Sequence, residues 1–231
     1  MGVQYIRTAA IIQQLLGNMG RPGGGIIALR GHASIQGSTD IPTLFDILPG
    51  YIPMPRVGSE QATLSGYLSQ HSREGGLWSY LPAYLVSLLK AYYGRHATPD
   101  NDFAFGYLPR LTGDHSHFSY FEQMQDGNVE GLFVMGQNPA VGGQHARFER
   151  KALSRLKWLV VRDLVEIETA SFWYDSPEIH RGELHTEDIE TEVFLFPAAS
   201  HVEKEGAFTN TQRLLQWREK AVEPPAIARA T

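Results

Sequence analysis

The stretch GLFVMGQNPA, from Gly131 to Ala140, decides the fold, because an apolar run ends there in a polar turn. Two further apolar runs follow it, KWLVVR at 157–162 and EVFLF at 192–196. The segments between the runs, 147–156 and 165–171, have helical spacing. Strand, helix, strand, helix, strand predicts an α/β fold, with a Rossmann-like parallel or mixed sheet, right-handed crossovers and flanking helices.

Ligands of open parallel sheets bind beyond the carboxyl ends of the strands. That rule points to the loop Gly136–Pro139 after the first strand and to Asp163 directly after the second. The loop amides and the Asn138 side chain can hold polar groups of a nucleotide, and a carboxylate can accept two donors from a ribose or a guanine edge. A strand-ending turn and a helix cap use the same residue types, so both structural roles stay open as alternatives.

The first half of the chain has less regular patterning. Helical spacing of apolar residues predicts helices at 5–17, 77–93 and 118–124, and Pro82 is compatible with the first turn of the second helix. The stretch 48–76 is rich in Gly, Pro and Ser, which predicts a long surface excursion, and 101–113 also reads as a loop.

Composition excludes several functional classes. The 231 residues are 42% hydrophobic and 19% charged, as in globular proteins, and 20 basic against 25 acidic side chains leave a net charge of -5. Without a Lys/Arg block, nucleic acid is not an expected partner. No apolar run reaches the ~20 residues of a membrane span and the N-terminus lacks a secretory pattern, so we expect no direct membrane insertion and, for the chain as written, a cytoplasmic location.

Cysteine is absent, which rules out thiolate metal sites and Cys-bound iron-sulfur clusters within these residues. Histidines pair only in loop-like sequence, His115 with His117 and His180 with His185, and neither pair has a clear third ligand, so no metal site is expected. No simple nicotinamide or P-loop motif occurs.

Arg30 lies between a glycine-rich loop at 20–25 and the dipeptide Gly31-His32. An arginine in that setting can present its planar fork to a carboxylate and bind it through two hydrogen bonds. The alternative is an ordinary structural ion pair.

Four stretches in order, 17–51, 132–140, 159–173 and 201–225, resemble the molybdopterin oxidoreductase superfamily, specifically formate dehydrogenase large subunits of the respiratory type. The resemblance covers nearly the whole chain. It implies an internal fragment of a much longer catalytic subunit, because neither end of the sequence matches where the family continues.

The resemblance also implies a domain organisation. Residues 1–32 would be the end of a neighbouring α/β domain, and 33–231 a molybdopterin guanine dinucleotide-binding α/β domain with a long irregular insertion around 48–115. The sheet would be incomplete relative to the family fold, so an apolar edge or face is expected to be exposed and to favour self-association.

Carried over residue by residue, the resemblance makes Arg30 the residue that holds the formate carboxylate and places His32 beside the pterin. Where this chain has Asn138, some relatives have aspartate, a difference that removes a charge. The positions that would contact or support the cofactor are Gly31, Gly136, Gln137, Asn138, Pro139, Asp163, Thr169, Asn210 and Gln212.

The implied function is oxidation of formate to carbon dioxide within a complete subunit that binds molybdenum or tungsten between two pterin guanine dinucleotides. The iron-sulfur cluster and the metal ligand would lie outside this chain, electrons would pass to partner subunits, and these residues alone would be inactive. Relatives of this type are often exported to the periplasm. Two alternatives stay open: a noncatalytic cofactor-binding or scaffold module derived from such an enzyme, and another oxidoreductase of the superfamily.

Overall fold

A computed structural model of the chain describes residues 2–29, 31–210, 214–225 and 228. Within these residues no helix is long and apolar enough to cross a membrane. The helices are α1 Gly2–Leu15, α2 Ile35–Asp40, α3 Leu64–His71, α4 Leu81–Tyr93, α5 His117–Gln125, α6 Pro139–Gly142, α7 Ala146–Leu153, α8 Glu168–Ser171 and α9 Pro177–His180. The strands are β1 Ile47–Leu48, β2 Ile52–Pro53, β3 Gly131–Met135, β4 Trp158–Asp163, β5 Glu192–Pro197, β6 Gly206–Thr209 and β7 Leu215–Arg218.

The α/β fold predicted from the sequence is confirmed. Strands β3, β4 and β5 form a parallel sheet in that order, with Met135 opposite Arg162 and Asp163 opposite Pro197. Helices α6 and α7 connect β3 to β4, while α8 and α9 connect β4 to β5. Both connections run between parallel neighbours, so the three strands all end at the same edge of the sheet.

One face of this sheet packs on the connecting helices. Inward-pointing residues alternate along the strands, as Val134 in β3 and Leu159 and Val161 in β4 show. They join a buried cluster with α5, α7 and the segment around α8. The buried members of that cluster are Phe121, Met124, Val134, Ala140, Ala152, Leu153, Leu156, Leu159, Val161, Ala170 and Phe172.

The opposite face of the sheet is apolar and uncovered within the described residues. Phe133 is 61% exposed, and Met135, Phe194 and Phe196 on the same face are exposed too. Trp158 packs edge-on against Phe133 with ring centroids 5.1 Å apart. This face matches the exposed apolar surface expected from the sequence.

Gly131, at the start of β3, is required by that same packing. A Cβ atom built on Gly131 would lie 1.9 Å from the ring of Trp158, its partner in β4. Any larger residue would push the indole off the strand, so the first residue of β3 must be small.

Residues 48–108 form a second core, and here the sequence-based prediction of a surface excursion over 48–76 is wrong. Strands β1 and β2 pair as a hairpin that packs with α3 and α4. Tyr67 is buried, donates its hydroxyl to the Pro53 carbonyl at 2.7 Å, and has its pKa raised to about 12 by burial. The buried members of this cluster are Leu48, Ile52, Leu64, Tyr67, Leu81, Leu85, Leu89, Phe105 and Leu108.

Other parts of the chain differ from the predicted pattern in smaller ways. Helices are confirmed near 5–17, 77–93 and 118–124, with Pro82 in the first turn of α4. The polar residues of α2 and the β6–β7 hairpin carried no clear period and were not predicted. Helix α1 buries none of its residues, so its apolar side chains stand exposed.

A group of charged side chains ties α7 to the segment around α9. Glu183 accepts hydrogen bonds from Arg147 at 2.6 Å and from Arg181 at 2.8 Å, and Lys151 lies 3.2 Å away. These cations, Arg181 first, lower the pKa of Glu183 to about 2. The carboxylate is therefore held in its charged form at the surface of the fold.

The depressed pKa of Glu183 predicts acid-sensitive stability. A pKa below the ordinary value of 4.5 stabilises the folded state fully above pH 4.5, and that contribution disappears as the pH falls toward 2. In thermal unfolding at pH 6, the melting temperature of wild type should therefore be higher than that of Glu183→Gln. The difference between the two melting temperatures should shrink as the pH falls toward 2. Glu187→Gln, at an exposed carboxylate without an ion pair among the described residues, is the control, and a gap independent of pH would contradict this assignment.

Candidate functional site

The predicted loop and the predicted aspartate lie together at the carboxyl edge of the sheet. The Gly136 N–H donates to the carbonyl of Arg162 at 3.1 Å, which extends the β3–β4 ladder by one residue. Asp163 is the next residue along β4, and its carbonyl accepts from the Ala198 N–H at 3.0 Å after β5. The two places that the sequence singled out are therefore neighbours on adjacent parallel strands.

The Asn138 side chain is used inside the fold. Its Nδ2 donates to Glu168 Oε2 at 2.6 Å, and its Oδ1 accepts from Thr169 Oγ1 at 2.8 Å and from the Thr169 N–H at 3.2 Å. Both ends of the amide are thus engaged with the start of α8. In this structure Asn138 fastens the loop after β3 to the loop after β4.

Thr169 completes that fastening from a position with 0% exposure. Its hydroxyl donates to Asn138 Oδ1 and accepts from the Ala140 N–H at 3.1 Å. A buried hydroxyl with both roles filled is a packing and positioning group. Of the two roles that the sequence left open for Thr169, contact with the cofactor and packing, the hydrogen bonds favour packing.

Glu168 is an exposed carboxylate beside the same loop. Its own backbone N–H, followed by the Asn138 amide, lowers the pKa of this side chain. A negative charge is therefore already present one contact away from Asn138, on Glu168. An aspartate at 138 would face that carboxylate directly, which explains why an amide suits this chain.

Around the hydrogen bonds of Asn138, Glu168 and Thr169 lie groups that remain available to a ligand. Gly136 has φ of 65°, and no atom lies within 4 Å of where a Cβ would stand, so its backbone can be approached closely. Gln137 is exposed, and Asp163 accepts from the Leu164 N–H at 2.7 Å through Oδ1 alone, leaving Oδ2 without a partner among the described residues. These groups can offer hydrogen bonds to a molecule bound at the carboxyl edge of the sheet.

A cavity of about 310 Å³ opens beside this loop, along β3. Gln137 and Pro139 of the loop and His117 of α5 are among the residues that line it. Aromatic side chains and the strand itself form the rest, so a flat ring could be received next to the polar edge.

The remaining predicted positions are not brought to this edge by any contact described. Gly31 and His32 lie exposed before α2, and Ser34, the residue just before that helix, accepts through Oγ from the Thr209 N–H of β6 at 3.2 Å. Asn210 closes the β6–β7 turn, because its Oδ1 accepts from the Leu214 N–H at 3.0 Å. Arg30 and Gln212 lie outside the described residues, so their predicted roles stay predictions.

Sequence reasoning missed the residues that hold the loop. Glu168 lies within the predicted helix 165–171, where nothing in the sequence distinguishes it from the acidic Glu166 two residues earlier. Arg150 and Glu178, which bond each other below the loop, are 28 residues apart. Nothing local in the sequence marks such a pair, because both side chains look like exposed charges until the helices pack.

The Thr169 hydroxyl gives a testable contribution to stability. Thr169→Val keeps the shape of the side chain but leaves the Ala140 N–H without its acceptor and removes one of the two donors to Asn138 Oδ1. We expect urea unfolding to give a free energy of unfolding lower by about 1–3 kcal/mol. Thr8→Val, on the exposed face of α1, should change it little; equal effects of the two substitutions would contradict the role given to Thr169.

Comparison with known proteins identifies related sequences over nearly all of the chain. The "Formate dehydrogenase 2 subunit alpha (cytochrome c-553)" of Nitratidesulfovibrio vulgaris is 42% identical over 232 residues, which cover 97% of this chain and 22% of that protein. The formate dehydrogenase-O major subunit of Escherichia coli is 39% identical over 234 residues, 99% of this chain and 23% of that protein. A comparison with protein-family profiles finds no match.

A third relative, the formate dehydrogenase subunit alpha of Megalodesulfovibrio gigas, is 39% identical over 238 residues. The chain spans 22–25% of the length of the curated relatives it matches. The resemblance inferred from four short stretches is thus confirmed at the level of whole-chain identity. The chain corresponds to about a quarter of the length of such a subunit. It belongs to the formate dehydrogenase major or alpha subunits of the molybdopterin oxidoreductase family.

Proposed function

We propose that this chain is a cofactor-holding part of a formate dehydrogenase catalytic subunit, and that the carboxyl edge of its parallel sheet holds the guanosine end of a molybdopterin guanine dinucleotide. The observation that supports it most is the meeting of the loop Gly136–Pro139 with Asp163 at that edge, in a chain 42% identical to a formate dehydrogenase subunit. Binding beyond strand ends is the general behaviour of such sheets.

The residues at this edge suit a nucleotide. Gly136 leaves open space above its backbone, and Gln137 offers both a donor and an acceptor. The free oxygen of Asp163 can accept from a ribose hydroxyl or from the donor edge of guanine. Asn138 and Thr169 act beneath them as supports, since their polar atoms are already paired.

The chemistry of the complete subunit is proposed as two-electron oxidation of formate to carbon dioxide. The bound cofactor, with molybdenum or tungsten, supplies the redox capacity, and partner subunits receive the electrons. Arg30 holds the formate carboxylate through a two-pronged, charge-assisted contact, and His32 and Gly31 lie beside the pterin. Asn210, at the end of β6, and Gln212 are proposed to support the cofactor. The remaining polypeptide supplies the metal ligand and the iron-sulfur cluster.

The uncovered face of the sheet favours a second role, that of a scaffold which pairs with other polypeptide. Phe133, Met135, Phe194 and Phe196 form an apolar surface on strands that normally have helices on both sides. In the complete enzyme the rest of the catalytic subunit is proposed to cover it. Residues 1–231 alone are expected to self-associate through it and to oxidise no formate, whether the enzyme operates in the cytoplasm or in the periplasm.

Binding of guanosine diphosphate by the purified chain tests the proposed site. Asp163→Asn keeps the acceptor for the Leu164 N–H but removes the charge, so calorimetric titration should show affinity lower by roughly ten-fold. Asp126→Asn, at the end of α5 before the amino end of β3, is the matched control and should bind like wild type. No binding by wild type, or equal weakening by both substitutions, would contradict the site.

Arg30 is tested in the complete subunit. Lysine keeps the charge but replaces a planar fork with a compact ammonium, so one of two aligned hydrogen bonds is lost. With a charge-assisted bond at about 1.5–3 kcal/mol, Arg30→Lys should lower kcat/KM for formate by roughly ten- to a hundred-fold, and Arg30→Ala by more. Unchanged kinetics at full metal and pterin content would make Arg30 a structural ion-pair residue.

A further inference from the structure

A buried ion pair lies directly beneath the loop Gly136–Pro139. Arg150 of α7 donates through Nε to Glu178 Oε2 at 2.5 Å and through one terminal nitrogen to Glu178 Oε1 at 3.0 Å. The Glu178 side chain has 0% exposure and that of Arg150 has 11%. Arg150 lowers the pKa of Glu178, which keeps the carboxylate charged inside the fold.

The guanidinium has a third partner, and that partner connects it to the proposed site. Its other terminal nitrogen donates to the carbonyl oxygen of Ala140, in the first turn of α6. The N–H of the same residue donates to Thr169 Oγ1 at 3.1 Å. Ala140 is therefore held from both sides, by Thr169 through its nitrogen and by Arg150 through its oxygen.

A two-sided hold on Ala140 fixes the residues just before it. Pro139 is restricted by its ring, and the N–H groups of Val141 and Gly142 donate to the Asn138 carbonyl at 3.1 and 2.7 Å. Helix α6 has only four residues and cannot keep this shape through its own hydrogen bonds. The position of Gln137 and Gly136 then depends on contacts from outside the loop.

We infer that Arg150, oriented by Glu178, is a positioning residue for cofactor binding: it holds Ala140 so that the loop after β3 presents its backbone and Gln137 to the nucleotide. Three features support this role over simple stability. The pair is bidentate and buried, its remaining nitrogen donates to Ala140 directly after the loop, and Arg181, the other cation on Glu178, makes no contact with Ala140 or the loop in the described structure. The inference rests on the proposed function of this edge.

Substitution can separate positioning from stability. Arg150→Met removes the loop contact but also leaves Glu178 charged and unpaired, which strongly destabilises a fold. The double variant Arg150→Met with Glu178→Leu removes both charges, and replacing a buried pair by apolar residues is often neutral for stability. Arg150→Lys keeps a positive charge near Glu178, but its one ammonium group lacks the planar fork that bonds both Glu178 and Ala140. Arg147→Met, on the same helix but bonded to Glu183 at the surface, is the control.

The experiment combines amide hydrogen exchange with titration of guanosine diphosphate into the 231-residue chain. In the double variant, we expect melting near the wild-type temperature, exchange at Val141, Gly142 and Gly143 faster by roughly ten-fold or more, and affinity roughly ten-fold weaker, with strand amides of β4 unchanged. Arg150→Lys should lie between, and Arg147→Met should match wild type in affinity and in exchange at 141–143.

Each outcome decides one proposal. Wild-type affinity and wild-type exchange at 141–143 in the folded double variant, or in Arg150→Lys, overturn the positioning role of Arg150. The positioning role is also overturned if affinity for guanosine diphosphate follows the melting temperature across Arg150→Met, Arg150→Lys and the double variant. In that case the ion pair would matter only for stability. Wild-type chain that binds no guanosine diphosphate overturns the proposed function and this inference with it.

Discussion

The parallel pairing of β3 with β4 is the constraint on which the rest of the structure depends. With Met135 opposite Arg162, the next residue of each strand falls at the same edge, and the Gly136 N–H closes the ladder onto the Arg162 carbonyl. A shift of β4 by one residue relative to β3 would turn Val161 out of the core and separate the loop from Asp163. The packing of the strands against the connecting helices therefore determines where the polar carboxyl edge of the sheet lies.

Polar side chains below the carboxyl edge hold the loop after β3 in one conformation. Asn138 and Thr169 join the ends of two strands, and Arg150 reaches Ala140 from α7. These bonds are partly buried, and the bond from the Ala140 N–H to Thr169 Oγ1 is fully buried, so leaving them unmade costs more than the bonds themselves contribute. The groups above them, Gln137 and one oxygen of Asp163, stay available. A rigid base with free polar groups on top is the arrangement that a site for a large cofactor requires.

The predictable parts of this molecule are those in which local pattern and tertiary structure agree. Strand β3 was bounded correctly because an apolar run met Gly136, and the edge followed from the alternation of strands and helices. The second core was missed because Leu48, Ile52 and Leu64 are spread among Gly, Pro and Ser and are brought together by a hairpin.

Long-range polar contacts were also beyond a reading of the sequence. Arg150 and Glu178 are separated by a strand and a helix, and only packing of α7 on the segment around α9 removes them from water. Asn138 was expected to face a ligand, whereas both ends of its amide are paired within the fold. The sequence could place Gly136–Pro139 and Asp163 on an edge, but it could not say which of their side chains turn inward.

Mapping guanosine diphosphate on the chain by amide chemical shifts in solution tests the central claim most directly. The account predicts shifts concentrated at Gly136, Gln137 and Leu164, the residues whose amides lie at the carboxyl edge of β3 and β4. Amides at the opposite end of the same strands, such as Gly131 and Leu159, should stay in place. Shifts confined to the opposite end, or spread over the apolar face of the sheet, would contradict it.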